Sequence, residues 1–286
     1  MRLVYPQDFR TVMHYLGEVP ELQQWLNKNL QQYQLLVDLL TGLLDRGFYP
    51  VPTDPTGHQN FRMDHTLAII DTLNRFPYRE PNGPLKVFST GPVYKPTSSQ
   101  WTETVDVEIL GGTPAESLAL VDDLLLWLCR GATRPHLVVG NLASLHRALD
   151  AAGLTDLEIT TVMSHLRNGN RVDAEALLAN RVPASHRIFH TVAWSHFKTA
   201  GTFDLPPEYY SWLEKLTPLS DVSWDLASVG TWPYYDGLVF SLYGPNIGQP
   251  LIRGGQFRLA LGGRSWQGIG FTVFVGAYEQ FVQGVS

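Results

Sequence analysis

The sequence predicts an α+β fold, an antiparallel β-sheet flanked by helices, with a helical insertion over about residues 114–216 between two β-rich parts. Three observations carry that expectation. Apolar and polar residues alternate before residue 113 and again toward the C-terminus, helical spacing dominates between them, and neither β-rich part is large enough to close a core alone. Residues 1–286 are then expected to form one domain.

The first helix opens at Pro20, whose fixed φ suits a first helical position, and carries Leu22, Trp25, Leu26, Leu30, Tyr33, Leu36, Val37, Leu40 and Leu43 up to a stop at Gly47. In FYPVPTDPTG, which follows, the prolines forbid a continued helix and suit an edge strand and turns. A second helix starts near Asp64 and runs through LAIIDTLNRF. KVFSTGPVYKP and TETVDVEILGG read as two strands joined through TSSQW, most simply an antiparallel hairpin. The insertion reads as short helices at VDDLLLWL, NLASLHRALDAAGL, TDLEITTVMSHLR and VDAEALLAN, with HLVVG as a lone buried strand. YYDGLVFSLYG, LIRGGQFRLALGG and GIGFTVFVGAYEQF return to β character. There is no repeat or low-complexity linker.

Composition narrows the function classes. A net charge of -6 gives no sign of a basic face for nucleic acid or anionic lipid, and no apolar run is long enough to cross a bilayer. The N-terminus lacks the apolar core of a signal peptide, so a cytoplasmic location is expected. The single cysteine, Cys129, excludes an internal disulfide and reads as core filler. P-loop, GxSxG, HExxH and paired CxxC motifs are absent. His186 and His190 stand four apart without a third ligand, which is no metal site, and neither metal nor cofactor is expected.

FRMDHTLAIIDTLNRF, FSTGPVYKPTSSQWTETVDVEILGG, PYYDGLVFSLY, RGGQFR and GIGF occur in the order found in histidyl-tRNA synthetases, and in the synthetase paralogue that serves as regulatory subunit of short-form ATP phosphoribosyltransferase. The chain resembles that family over nearly its whole length. The resemblance implies the class II aminoacyl-tRNA synthetase fold, dimerising through the first long helix and the strand after it. It also implies a histidine pocket in which Asp64 and Thr66 hold the ammonium group, Glu108 meets the imidazole, and the Tyr234–Tyr235 pair supplies Tyr235 to the same ring. Asp64 is one methylene shorter than the synthetase glutamate. Apart from the resemblance, Glu108 also reads as the buried partner of a lysine or arginine, and the tyrosine pair as the two faces of a strand.

The departures from the family pattern concern its cations. Adenylate formation gathers negative charge on a phosphate, which the fixed fork of arginine stabilises well. Lys95 stands at the second-motif arginine, Ala277 at the third-motif arginine, Gly230 at the arginine before the tyrosine pair, and Gln256 in the GGRY-like segment. Synthetase activity is therefore expected to be absent. Ser286 follows closely on the third-motif segment, so no anticodon-binding domain is expected. The resemblance then implies a non-catalytic regulatory subunit in a hetero-oligomer, partnered by the short-form catalytic subunit, with histidine as allosteric effector. A divergent adenylate-forming enzyme and a stand-alone amino-acid-binding module are the alternatives.

Overall fold

The computed structural model describes residues 20–53, 65–75, 83–95, 100–130, 134–179, 189, 191–193, 207–230 and 232–284. The chain divides into two compact units, one ending at Gly47 and the other beginning at Phe48. In the first, helix α1 (Pro20–Asp45) follows the apolar spacing of the sequence. It closes on the Arg46 and Gly47 amides, which donate to Leu43 O and Leu44 O, and Gly47 takes the left-handed φ of +73° that ends helices at low cost.

Among the described residues, the second unit is built on a nine-stranded sheet in the order β1-β2-β3-β9-β8-β7-β4-β6-β5. Its strands are β1 (Tyr49–Pro50), β2 (Leu85–Lys95), β3 (Gln100–Leu110), β4 (His136–Asn141), β5 (Thr191–Ala193), β6 (Asp221–Asp225), β7 (Tyr235–Tyr243), β8 (Ile252–Leu261) and β9 (Arg264–Phe274). Among the described residues its helices are α2 (His65–Arg75), α3 (Pro114–Leu128), α4 (Leu142–Ala151), α5 (Asp156–Arg167), α6 (Arg171–Leu178), α7 (Pro207–Leu216) and α8 (Val275–Gln283). The hairpin expected at 86–112 forms, with Leu85 opposite Leu110 and Lys95 opposite Gln100. Parallel pairing of β1 with β2 and of β4 with β6 makes the sheet mixed rather than purely antiparallel.

HLVVG is not a lone strand. β4 lies between β7, antiparallel, and β6, parallel, with His136 opposite both Tyr243 and Asp221. Local periodicity reports that a strand is buried but not which distant residues it pairs with. The insertion thus contributes strands to the same sheet as its flanks. Capping fixes where its helices begin: Thr113 with Glu116, and Thr155 with Glu158, form reciprocal capping boxes, and Asn141 Oδ1 accepts from Ser144 N.

The two faces of β3 differ in chemistry. Val105, Val107 and Ile109 are buried on one face, each contributing about 1.5–3 kcal/mol through apolar burial. On the other, Thr104, Asp106 and Glu108 are buried polar groups that must be satisfied within the fold. The apolar face is covered by α3, α7 and α8. Trp212 of α7 packs edge-on against Phe240, which contacts Phe271, and Tyr278 of α8 donates to Leu128 O of α3. The polar face receives α2, whose Ile69 and Ile70 pack with Leu110, Val87, Phe257 and Trp266. No helix among the described residues is long and apolar enough to cross a membrane.

Candidate functional site

The N-terminus of α2 meets the polar face of β3 at Thr66, whose hydroxyl donates to Glu108 Oε1; both groups are buried. Glu108 lies opposite Gly270 of β9, and a Cβ on Gly270 would overlap the Glu108 carboxylate. The glycine of GIGF is thereby required by the glutamate across the ladder. Two residues further along β3, Asp106 Oδ2 accepts from Thr104 Oγ1 at 2.7 Å and Oδ1 accepts from Thr272 Oγ1. His65 completes this buried cluster, with Nδ1 3.3 Å from Ser89 Oγ and Nε2 3.9 Å from Asp106 Oδ2.

Aromatic rings close the cleft. Tyr234 stacks on Trp232 at 6.1 Å between centroids and an interplanar angle of 8°, and meets Tyr235 at 5.3 Å and Phe257 at 6.1 Å. Tyr235 is held between two glycines. A Cβ on Gly230 would stand 2.5 Å from Tyr235 Cδ2, and one on Gly255 3.0 Å from Cδ1. Gly230 also has φ +69°, a conformation that favours glycine. The space left among Thr66, Glu108, Trp232, Tyr234, Tyr235 and Thr272 is about 20 Å³, room for about one water.

Of the residues singled out from the sequence, Thr66, Glu108, Tyr234 and Tyr235 line this one cleft, and Gly230 flanks it behind Tyr235. Asp64, His186 and His190 lie outside the described residues, as does the side chain of Lys95. Lys95 is at the far end of β2, opposite Gln100, whereas Glu108 pairs with Val87. Ala277 is fully buried in the first turn of α8. Among the described residues, no lysine or arginine lines the cleft. Arg253, opposite Thr272 in the β8–β9 register, shares the polar face one pair beyond Gly255.

Gln256 faces the other way. Side chains alternate along β8, so it points away from Phe257 toward the helices, where Oε1 accepts from Tyr209 Oη at 2.6 Å and from Leu238 N at 3.1 Å. The β7–β8 register breaks between Tyr235 and Val239, and Gln256 supplies the acceptor that the bulged Leu238 amide needs. Burial raises the pKa of the Tyr209 hydroxyl, favouring its protonated form as donor to Gln256. Sequence reasoning missed Asp106, His65, Thr272 and Trp232. The D-x-E spacing in TVDVE carries a usable signal, since residues two apart on a strand share a face and Asp106 must lie beside Glu108.

The histidyl-tRNA synthetase family model matches residues 59–277. No curated protein matches the chain in sequence. Among solved structures, an ATP phosphoribosyltransferase regulatory subunit/histidyl-tRNA synthetase from Bacillus halodurans is similar with a TM-score of 0.66 at 17% identity, covering 92% of this chain and 80% of that one. A chain of the ATP phosphoribosyl transferase (HisG:HisZ) complex from Thermotoga maritima gives 0.64 at 18%, covering 85% and 97%. Histidyl-tRNA synthetase from Nostoc sp. PCC 7120 gives 0.64 at 15%, covering 91% and 73%. The fold is class II synthetase-like, a mixed sheet carrying helices on both faces. With the family match extending from residue 59 to residue 277 of 286, this chain belongs to the histidyl-tRNA synthetase family.

Proposed function

We propose that this chain is a non-catalytic regulatory subunit of short-form ATP phosphoribosyltransferase, located in the cytoplasm, supporting the activity of a separate catalytic subunit and passing histidine inhibition to it. The observation that carries the reading is a cleft with the synthetase-like pocket residues Thr66, Glu108 and Tyr235 but, among the described residues, no lysine or arginine in its lining. Adenylation needs preorganised cations at the α-phosphate, each contributing roughly two to three powers of ten in rate. Gly230, Gln256 and Ala277 supply none, and the surroundings of Gly230 and Ala277 have no space for one. Likeness to structures named for the phosphoribosyltransferase regulatory subunit and its complex supports the same reading.

Among the described residues the cleft leaves about 20 Å³, less than an amino acid fills, so histidine binding there would require its wall to move. Such a movement would supply the two-state element that an effector needs to act on a remote active site. Self-association is proposed to run through α1. Co-expression with a short-form catalytic subunit tests the assignment. The two chains should elute together and the partner's turnover should depend on this one; separate elution with unchanged turnover refutes it.

A second reading, an adenylate-forming enzyme with a relocated cation, draws on Arg253, which shares the polar face with Thr272 and Asp106. Histidine-dependent exchange of pyrophosphate into ATP, lost in Arg253→Ala, would establish it in place of the first.

A further inference from the structure

The two faces of the sheet are tied together at the start of β7. Tyr235 pairs with Phe257 and Val239 with Gly255, so Asp236, Gly237 and Leu238 all lie across from Gln256. A bulge of this size leaves backbone groups without ladder partners, and whatever satisfies them sets its shape. Gln256 does this for Leu238, its Oε1 accepting from Leu238 N at 3.1 Å and from Tyr209 Oη of α7 at 2.6 Å. Both donors meet the same oxygen, which fixes the orientation of the carboxamide, since a backbone N–H can only donate. Gly237 makes room for it, because a Cβ there would stand 2.4 Å from Gln256 Oε1.

What this bulge aims is Tyr235. It is the first residue of β7, directly before the irregular stretch, and bulges re-aim the side chains beside them. Leu238 is confined on both sides: its amide is held by Gln256, and its carbonyl oxygen would stand 2.7 Å from a Cβ on Gly255. Gly255 is also one of the two glycines that flank the Tyr235 ring. A shift of the Gln256 carboxamide is thereby passed to the ring through Leu238. Trp232 and Tyr234, by contrast, lie in the turn that precedes the strand. The helix that supplies Tyr209 packs against α3, on the face of the sheet away from the cleft.

We propose that Tyr209 and Gln256 are positioning residues of the cleft: from the opposite face of the sheet they hold the β7 bulge, so that Tyr235 is a fixed wall while the Trp232–Tyr234 turn yields to a ligand. For its effect on inhibition the inference rests on the reading of the cleft as the histidine site; for its effect on Tyr235 it does not.

Two measurements test it. Ring-labelled tyrosine in the full chain, with the Tyr235 signal assigned by its loss in Tyr235→Phe, reports the wall directly, and histidine inhibition of the complex with the catalytic subunit reports its use. Gln256→Leu, which keeps the size but not the acceptor, should shift the Tyr235 signal and raise the histidine concentration for half-inhibition at least about tenfold. Tyr209→Phe leaves the Leu238 bond in place, so it tests the proposal even if Gln256→Leu does not fold, and it should act in the same direction by at least about threefold. Gln256→Glu keeps an acceptor for both donors and should return both readouts to the parental values. Tyr278→Phe breaks a different tyrosine bond beneath the same face, to Leu128 O, and should leave the Tyr235 signal unmoved. An unshifted Tyr235 signal in Tyr209→Phe and in folded Gln256→Leu, an equal shift in Tyr278→Phe, or inhibition that is unchanged or stronger in both variants overturns the proposal. A parental complex that ignores histidine, with Tyr235 still shifting only in the Tyr209→Phe and Gln256→Leu variants, sinks the effector reading and upholds the positioning.

Discussion

A side chain at residue 230 would have to satisfy two conditions at once, a φ of +69° and a Cβ 2.5 Å from the Tyr235 ring. Gly230→Arg therefore restores the family's residue type without restoring its geometry. The left-handed backbone and the displaced ring together should cost about 2 kcal/mol or more in urea unfolding, and pyrophosphate exchange should remain absent. A variant as stable as the parent would show that the loop before β7 has another conformation within reach. Glu108 is constrained in a different way, by the Thr66 hydroxyl on one side and Gly270 on the other. Glu108→Gln keeps an acceptor for Thr66 and removes the charge, so in the assembled enzyme it should abolish histidine inhibition while leaving assembly intact. Inhibition at the parental histidine concentration would take Glu108 out of the effector site.

At the scale of elements, the contact of α3 with α7 contains an unfavourable carboxylate. Asp122 is 8% exposed, and its Oδ1 has no hydrogen-bond partner among the described residues. Burial raises its pKa above 3.8 despite Lys215 at 4.0 Å, with Asp123 adding to the rise. A carboxyl whose folded pKa is raised binds more protons in the native state, so stability falls as pH rises from 3.8 through the folded pKa. Asp122→Asn should consequently be more stable than the parent near neutral pH, with the difference shrinking toward pH 4 in parallel urea titrations. An advantage that instead grows on acidification would contradict the assigned sign. Elements of this kind were only partly legible in the sequence. The β2–β3 hairpin could be read because its alternation is local, and Glu108 with it. The bulge in β7 could not, since the signal is a single glutamine on the neighbouring strand accepting the Leu238 amide. Hence Gln256 read from the sequence only as a missing cation, although its structural task is to complete a ladder.

At the scale of the whole molecule, the order of β-rich, helical and β-rich segments was enough for the α+β class, but the sheet joins strands more than a hundred residues apart, as β4 and β7 do at His136 and Tyr243, and no local pattern encodes that. Self-association is likewise a property of the assembled molecule, and α1 carries its expected seam. Leu30, Tyr33, Val37 and Leu44 are 46, 66, 54 and 51% exposed, and their spacing of three, four and seven residues puts them along one helix face. A stripe of large apolar side chains facing water is stabilised by covering it, and the first long helix is where the family resemblance places a dimer contact. A lysine at the centre of that stripe would be desolvated in the dimer yet solvated in the monomer, so Val37→Lys should weaken association without lowering monomer stability. Sedimentation velocity across a concentration series should show a dimer for the parent and a species of about half its mass for Val37→Lys, with unchanged urea unfolding of the monomer. A parent that sediments as a monomer throughout, or a variant that dimerises equally well, would remove α1 as the dimer element and leave its exposed stripe for another partner.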